Sequence, residues 1–137
     1  MGVVKTTATL QSNHLYMKLV KSFSFAFQGI ITCYRTQQNF RIHLTATVVV
    51  IVLSILLHIS PTEWLFIAGS CVLVISLEMV NTGLEEICNI ISPEFHPLIK
   101  KIKDISAGAV LVAAGGALFT GCIILLPKII NEIKTLQ

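Results

Sequence analysis

Five polar side chains share one face of a helical segment that is otherwise apolar. This polar stripe consists of Glu78, Asn81, Thr82, Glu85 and Asn89. At about 100° of rotation per helical residue, the spacing between these residues places them on one side of a helix. An ionisable group at the edge of hydrocarbon is costly unless it is paired, hydrated or metal-bound, so two carboxylates there indicate a functional site. We expect one face of one helix to carry the chemistry.

The composition predicts that this helix lies in a membrane. Of 137 residues, 54% are apolar and only 12% are charged, whereas soluble domains have about 25% charged residues. Three segments are apolar and long enough to be membrane helices, at about 42–59, 64–91 and 105–126. The second contains the polar stripe, so its last turns emerge into the interface. The sequence therefore predicts an all-α membrane protein.

The flanking segments predict a surface helix and two short tails. Residues 1–13 are polar and are expected to be flexible, and 129–137 form a C-terminal tail. Between about 14 and 36, apolar residues recur at intervals of three and four, and lysines lie on the other side. This pattern predicts an amphipathic helix that lies along the membrane surface. Packing of this helix against partner helices would give the same pattern, so that alternative stays open. Residues 14–128 then form one domain.

The basic residues predict the orientation. Five lysines or arginines precede the first span, none separates the first two spans, and Lys100, Lys101 and Lys103 follow the second. The positive-inside rule then places the N-terminus and the lysine-rich loop in the cytoplasm. We expect the first span to remain in the mature protein, because the residues after it lack a signal-peptide cleavage site. The net charge of +3 is explained by topology, so no nucleic-acid partner is predicted.

Three stretches together resemble a known family. They are Glu78–Glu85 (EMVNTGLE), Ser92–Pro97 (SPEFHP) and Lys103–Val110 (KDISAGAV). In order and separation they resemble the small integral-membrane prokaryotic diacylglycerol kinases, and within that family the undecaprenol kinase branch. The resemblance extends from about residue 22 to residue 128.

The resemblance implies a homotrimer with three membrane helices and a surface helix in each protomer, and active sites shared between neighbours. Family members transfer the γ-phosphate of Mg-ATP to a lipid alcohol. By position, Glu78 resembles the general base and Asn81 its polar neighbour in the site. Glu85 resembles a Mg²⁺ ligand, and Lys103 and Asp104 resemble nucleotide contacts. Carboxylates suit both proton transfer and Mg²⁺ binding.

Two positions differ from the family pattern. The family has a second metal-binding Glu four residues before the Arg that Arg41 matches, and this chain has Gln37 there. It also has an Asp four residues beyond the Glu that Glu85 matches, and here the residue is Asn89. An amide keeps the shape and one acceptor oxygen of a carboxylate but lacks its charge. Gln37 is thus expected at the metal, with Arg41 and Asn89 on the nucleotide side.

The sequence leaves three functional hypotheses. The first is an ATP- and Mg²⁺-dependent kinase of a membrane lipid alcohol, with undecaprenol preferred over diacylglycerol because the 92–97 stretch resembles the undecaprenol kinase branch. The second is a catalytically impaired homologue that binds lipid or nucleotide or has a structural role, which the amides at Gln37 and Asn89 favour. The third and weakest is a membrane protein in which the polar stripe only joins helices.

Overall fold

The described part of the chain consists of four α-helices. A computed structural model describes residues 2–135, with side chains from Met17 onwards. The helices are α1 (Gly2–Thr36), α2 (Gln38–Leu56), α3 (Pro61–Ile91) and α4 (Pro97–Thr135). Helices α2, α3 and α4 are long and apolar enough to cross a membrane. The predicted all-α class with three membrane helices is therefore confirmed.

Helix α1 forms one compact unit, and residues from Gln37 onwards form another. The helix begins earlier than predicted, at Gly2 rather than near residue 14. The flexibility predicted for residues 1–13 stays a prediction. In the described part of α1, Met17, Phe23 and Phe27 are among several exposed apolar side chains. The helix ends before Gln37, whose extended backbone (φ −107°, ψ 117°) precedes α2.

A tight connection joins α2 to α3. His58 adopts a left-handed backbone (φ 47°), and α3 begins with a capping box. The Ser60 main-chain N–H donates to Glu63 Oε2 (2.6 Å), and the Glu63 main-chain N–H donates to Ser60 Oγ (3.3 Å). Pro61 suits the first helical position. These features start α3 three residues before the predicted position. An ion pair of 3.2 Å between Lys128 and Glu63 then ties the start of α3 to α4.

One face of α3 forms the core of the second unit, packing mainly against α4 and also against α2. Near the α2–α3 connection this core is apolar, with Ile67 buried beside Ile59 and Leu125. Towards the other end of α3 the buried residues become polar, with Glu78 and Asn81 among them. The buried part of the polar stripe thus continues the packing face of the helix.

The other two spans also differ from their predicted bounds. Helix α2 covers Gln38–Leu56 instead of 42–59, and α4 covers Pro97–Thr135 instead of 105–126. Hydropathy identifies only the apolar part of a helix, so it misses the charged first turns of α4. At about 1.5 Å per residue, α4 is longer than the roughly 30 Å thickness of bilayer hydrocarbon, so an upright α4 extends beyond the hydrocarbon. The predicted tail, 129–137, is helical as far as Thr135.

Site-specific labelling tests the topology. Cysteines introduced at the exposed positions Thr62 and Lys101, in a variant lacking the four native cysteines, should react with an impermeant maleimide from opposite sides of intact cells. Thr62 should label from outside, because the positive-inside rule predicts that the basic first turns of α4, which contain Lys101, stay in the cytoplasm. Labelling of both positions from the same side would contradict the three-span topology.

Candidate active site

Burial of the polar stripe decreases along α3. Glu78, Asn81 and Thr82 are 3%, 6% and 6% exposed. Glu85, one turn later, is half-buried, and Asn89 at the end of the helix is exposed. The stripe therefore runs from the packed interior of the helical bundle to the α3–α4 loop, which is the arrangement required of a site that joins a membrane-embedded reactant to a water-soluble one.

A hydrogen-bonded chain connects α4 to the stripe. Ser106 Oγ in α4 donates to Asn81 Oδ1 at 2.6 Å. Asn81 Nδ2 then donates to Glu85 Oε1 at 3.1 Å. Polar side chains that bond across helices are a common means of fixing helix packing in membranes. Here the bonds also restrict the orientation of two of the predicted site residues.

The carboxylate of Glu78 differs from that of Glu85. Within residues 17–135, no group donates a hydrogen bond to the carboxylate oxygens of Glu78. The nearby Thr82 hydroxyl donates to the main-chain oxygen of Glu78 instead, at 2.9 Å. A buried polar group normally has a partner, and an ionisable one without a partner in a membrane helix is a strong indication of function. Both oxygens of Glu78 are free to accept a proton.

A second group of four residues, three of them predicted site residues, meets at the α3–α4 loop. Lys103 Nζ donates to Asn89 Oδ1 at 2.7 Å, and Lys100 forms an ion pair with Asp104 one turn along α4. These four residues line a cavity of about 370 Å³ together with the loop residues 92–96. The cavity is open to solvent, and both polar and apolar side chains line it. Its lysines are suited to a phosphate-bearing ligand.

The donor set near Glu85 fits Mg²⁺. Within the described residues, no three His, Cys, Asp or Glu side chains lie close enough to form a complete metal site. Mg²⁺ in nucleotide sites does not need one, because it is usually held by one or two carboxylates, water and substrate phosphates. Glu85 is half-buried, and only its Oε1 accepts a hydrogen bond among residues 17–135, so Oε2 is available as a ligand.

Two predicted residues lie apart from these contacts. Gln37 is half-buried at the N-cap of α2 without a side-chain capping bond, and Arg41 is exposed one turn later. Among the described hydrogen bonds and ion pairs, neither side chain contacts the polar stripe. Their predicted roles at the metal and nucleotide therefore stay predictions.

The sequence analysis did not identify Ser106 or Lys100 as site residues. Ser106 is buried and bonded to Asn81, yet its only signal in the sequence is a small polar residue three positions after Lys103. The pairing of Lys100 with Asp104 could have been predicted, since oppositely charged residues four apart on a helix are neighbours.

A separate groove of about 340 Å³ lies among α2, α3 and α4. Most of its lining is apolar, and His43 and the hydroxyls of Thr47 and Ser70 are among the few polar groups. No carboxylate and no lysine lines it. The groove therefore lacks the groups that phosphoryl transfer requires.

Comparison with known proteins gives the family context. A sequence profile described as prokaryotic diacylglycerol kinase matches residues 24–125. The chain is 39% identical to a diacylglycerol kinase of Synechocystis over 82% of the chain but only 65% of that protein. It is 38% identical to an undecaprenol kinase of Bacillus subtilis over 82% of the chain and 91% of that protein. It is also 26% identical to a diacylglycerol kinase of Escherichia coli, over 80% of the chain and 90% of that protein.

The contact between Lys103 and Asn89 should hold the α3–α4 loop. Replacing Asn89 with Leu removes the acceptor, so amide hydrogen exchange at residues 92–96 should accelerate severalfold, as expected for an exposed hydrogen bond of about 1 kcal/mol. Mass spectrometry of the protein in micelles measures this exchange. Lys101→Met, at an exposed position in the same turn, is the matched control and should leave the loop unchanged. Equal exchange in both variants would contradict the role of this contact.

Proposed function

Because the chain belongs to the prokaryotic diacylglycerol kinase family, we propose that it transfers the γ-phosphate of ATP to the hydroxyl group of a membrane lipid. The buried carboxylate of Glu78, which has no hydrogen-bond donor among residues 17–135, is the observation that carries this proposal. A carboxylate at this depth can meet a lipid hydroxyl, while the open cavity at the loop can admit a nucleotide.

In the proposed reaction, the oxygen of the lipid hydroxyl forms a bond to the γ-phosphorus of ATP. Glu78 accepts the proton of that hydroxyl as the bond forms. The bond from phosphorus to the bridging oxygen breaks, and ADP leaves. General-base assistance of this kind typically contributes about 10²–10⁴-fold to a rate. Asn81 lies one turn from Glu78 on the same face and supplies a polar neighbour for the reacting groups. Because this chemistry depends mainly on positioning and charge, few side chains suffice.

The loop cavity is the proposed nucleotide side of the site. Lys103 offers an ammonium group to the phosphates, and Asn89 holds that group from the end of α3. Asp104 and Arg41 are the further proposed nucleotide contacts. Glu85 and Gln37 are proposed to hold Mg²⁺, which when bound neutralises the phosphate charge.

The lipid we propose first is undecaprenol, with diacylglycerol as the alternative. The support is the 92–97 stretch, which resembles the undecaprenol kinase branch. Relatives of nearly equal identity carry both names, so identity does not favour either lipid. We further propose a homotrimer in the bacterial inner membrane with the loop in the cytoplasm, where ATP is present.

The direct test is transfer of labelled phosphate from ATP by purified protein in micelles. Undecaprenol, diacylglycerol and a short-chain alcohol should be offered separately, and the lipid products extracted and counted. Labelling of undecaprenol above diacylglycerol is the expected result. No labelling of any lipid alcohol would overturn the proposed activity.

A binding-only homologue is the second candidate function, and Gln37 is the observation that favours it. A neutral amide attracts Mg²⁺ less than a carboxylate does. Asn89 gives weaker support, because its oxygen accepts a hydrogen bond from Lys103 much as a carboxylate oxygen would. Nucleotide binding without phosphate transfer to any lipid would support this candidate.

Glu78→Gln should reduce lipid phosphorylation at least about a hundredfold, since it removes the proton acceptor and keeps the side-chain shape. The assay is labelled-ATP transfer, together with size-exclusion chromatography to verify that the oligomer is retained. Glu86→Gln is the matched control, because Glu86 is an exposed carboxylate on the same helix. Activity near wild type in Glu78→Gln would exclude the general-base role.

Glu85→Gln should raise the Mg²⁺ concentration that gives half-maximal activity, and Gln37→Glu should lower it. Removing or adding one carboxylate at the metal is expected to shift this concentration by about tenfold, which corresponds to about 1.4 kcal/mol. Titration of activity with Mg²⁺ at saturating ATP measures both shifts. If Gln37→Glu leaves the titration unchanged, Gln37 is not a ligand; if Glu85→Gln does so, the proposed metal position is wrong.

A further inference from the structure

Ser106 is the one buried side chain of α4 that hydrogen-bonds to the polar stripe. It is 9% exposed and reaches Asn81, a residue on a different helix and 25 positions earlier. Its hydroxyl has two acceptors within reach, Asn81 Oδ1 at 2.6 Å and the main-chain oxygen of Lys103 at 3.0 Å. A hydroxyl has a single proton, so the surrounding groups decide which acceptor receives it.

The carboxylate of Glu85 decides the orientation of Asn81. An ionised carboxylate only accepts hydrogen bonds, so the amide nitrogen of Asn81 must face Glu85. The amide oxygen then faces Ser106, and an oxygen accepts only. The Ser106 proton is therefore directed to Asn81, at the shorter of its two distances. If the amide were reversed, its oxygen would face the carboxylate without a proton between them.

We infer that Ser106 is a positioning residue: it anchors the Asn81 amide in the orientation that Glu85 selects, so that the amide nitrogen donates to Glu85 Oε1 and Glu85 Oε2 is left free for a metal ion. The inference rests on the proposed function only for its effect on the Mg²⁺ requirement. The contact itself is a property of the folded chain. Because Ser106 belongs to α4 and the other two residues belong to α3, the orientation of Glu85 depends on the packing of these helices.

Nuclear magnetic resonance tests the contact without any activity. In protein labelled with ¹⁵N-asparagine, the Asn81 side-chain amide is identified by its loss in Asn81→Ala. Its two protons should exchange slowly with solvent in the wild type and in Ser106→Thr, which keeps the hydroxyl. They should exchange at least several times faster in Ser106→Ala. Ser106→Cys has a similar size but a weaker donor, so its amide exchange rate should be intermediate. This variant replaces Ser106→Thr in the comparison with Ser106→Ala if the threonine variant does not fold.

The matched control is Ser54→Ala. Ser54 is also a fully buried serine in a membrane helix, and its hydroxyl has no hydrogen-bond partner among the described residues. Removing it should leave the Asn81 amide unchanged. The inference would be overturned if the Asn81 amide protons exchanged at the same rate in wild type, Ser54→Ala and Ser106→Ala. This outcome does not depend on whether the protein phosphorylates lipids.

The Mg²⁺ requirement tests the effect on the site. Ser106→Ala should raise the Mg²⁺ concentration for half-maximal lipid phosphorylation by about threefold to tenfold, the change expected for one hydrogen bond of ordinary net strength. In the Glu85→Gln variant, adding Ser106→Ala should not raise this Mg²⁺ concentration further, because no carboxylate remains at position 85 to be positioned. A purely structural role would give independent effects that multiply, and that result would overturn the inference.

The two measurements separate this inference from the proposed function. Without lipid phosphorylation by the wild type, the proposed function fails, and the amide exchange alone decides whether Ser106 orients Asn81. With activity present but the amide unaffected by Ser106→Ala, the function stands and the positioning role fails.

Discussion

Every buried polar group in this protein needs a partner inside the protein, because the bilayer supplies none. The inward face of α3 shows how this constraint organises the molecule. Near the α2–α3 connection that face carries Ile67 in an apolar core; nearer the loop it carries Asn81, which is tied to α4 through Ser106. Packing of α3 on α4 therefore buries the first part of the stripe and supplies the hydrogen bond that Asn81 accepts. Within residues 17–135, Glu78 and Ser54 are both buried without such a bond. Of the two, only Glu78 is ionisable, so it is the one that calls for a functional explanation.

The two ends of the α3–α4 pair are joined by different kinds of contact. Beside the α2–α3 connection, Glu63 completes a capping box and pairs with Lys128. The same carboxylate therefore accepts a hydrogen bond at the start of its own helix and forms an ion pair with α4. At the loop end, the Lys103–Asn89 bond spans the turn between the helices. Exposed contacts of this kind contribute little each. Both ends are thus held by weak polar bonds, and the buried Ser106–Asn81 bond lies between them in the packed region.

The sequence predicted the helices more reliably than the contacts between them. Apolar periodicity and length were sufficient to predict three spans, because both are properties of single segments. Helices α3 and α4 begin before the predicted apolar spans, since a capping box and a charged helical turn contribute no hydropathy. The stripe's placement on one helix face was also predictable from spacing. The Ser106–Asn81 contact was not, because it depends on how two helices are rotated and offset against each other, and neither quantity is encoded in a local pattern.

The two amides that depart from the family pattern are not physically equivalent. Asn89 lies in a cavity lined by two lysines and by the acids Glu94 and Asp104, so a carboxylate at position 89 would give that lining a net negative charge when His96 is neutral. The amide keeps an acceptor for Lys103 and avoids that charge, which favours an anionic nucleotide. Gln37 has no such compensation in its proposed role at the metal, because a carboxylate there would attract the cation and an amide attracts it less. The metal requirement, rather than nucleotide binding, is therefore the property in which this chain should differ most from its relatives.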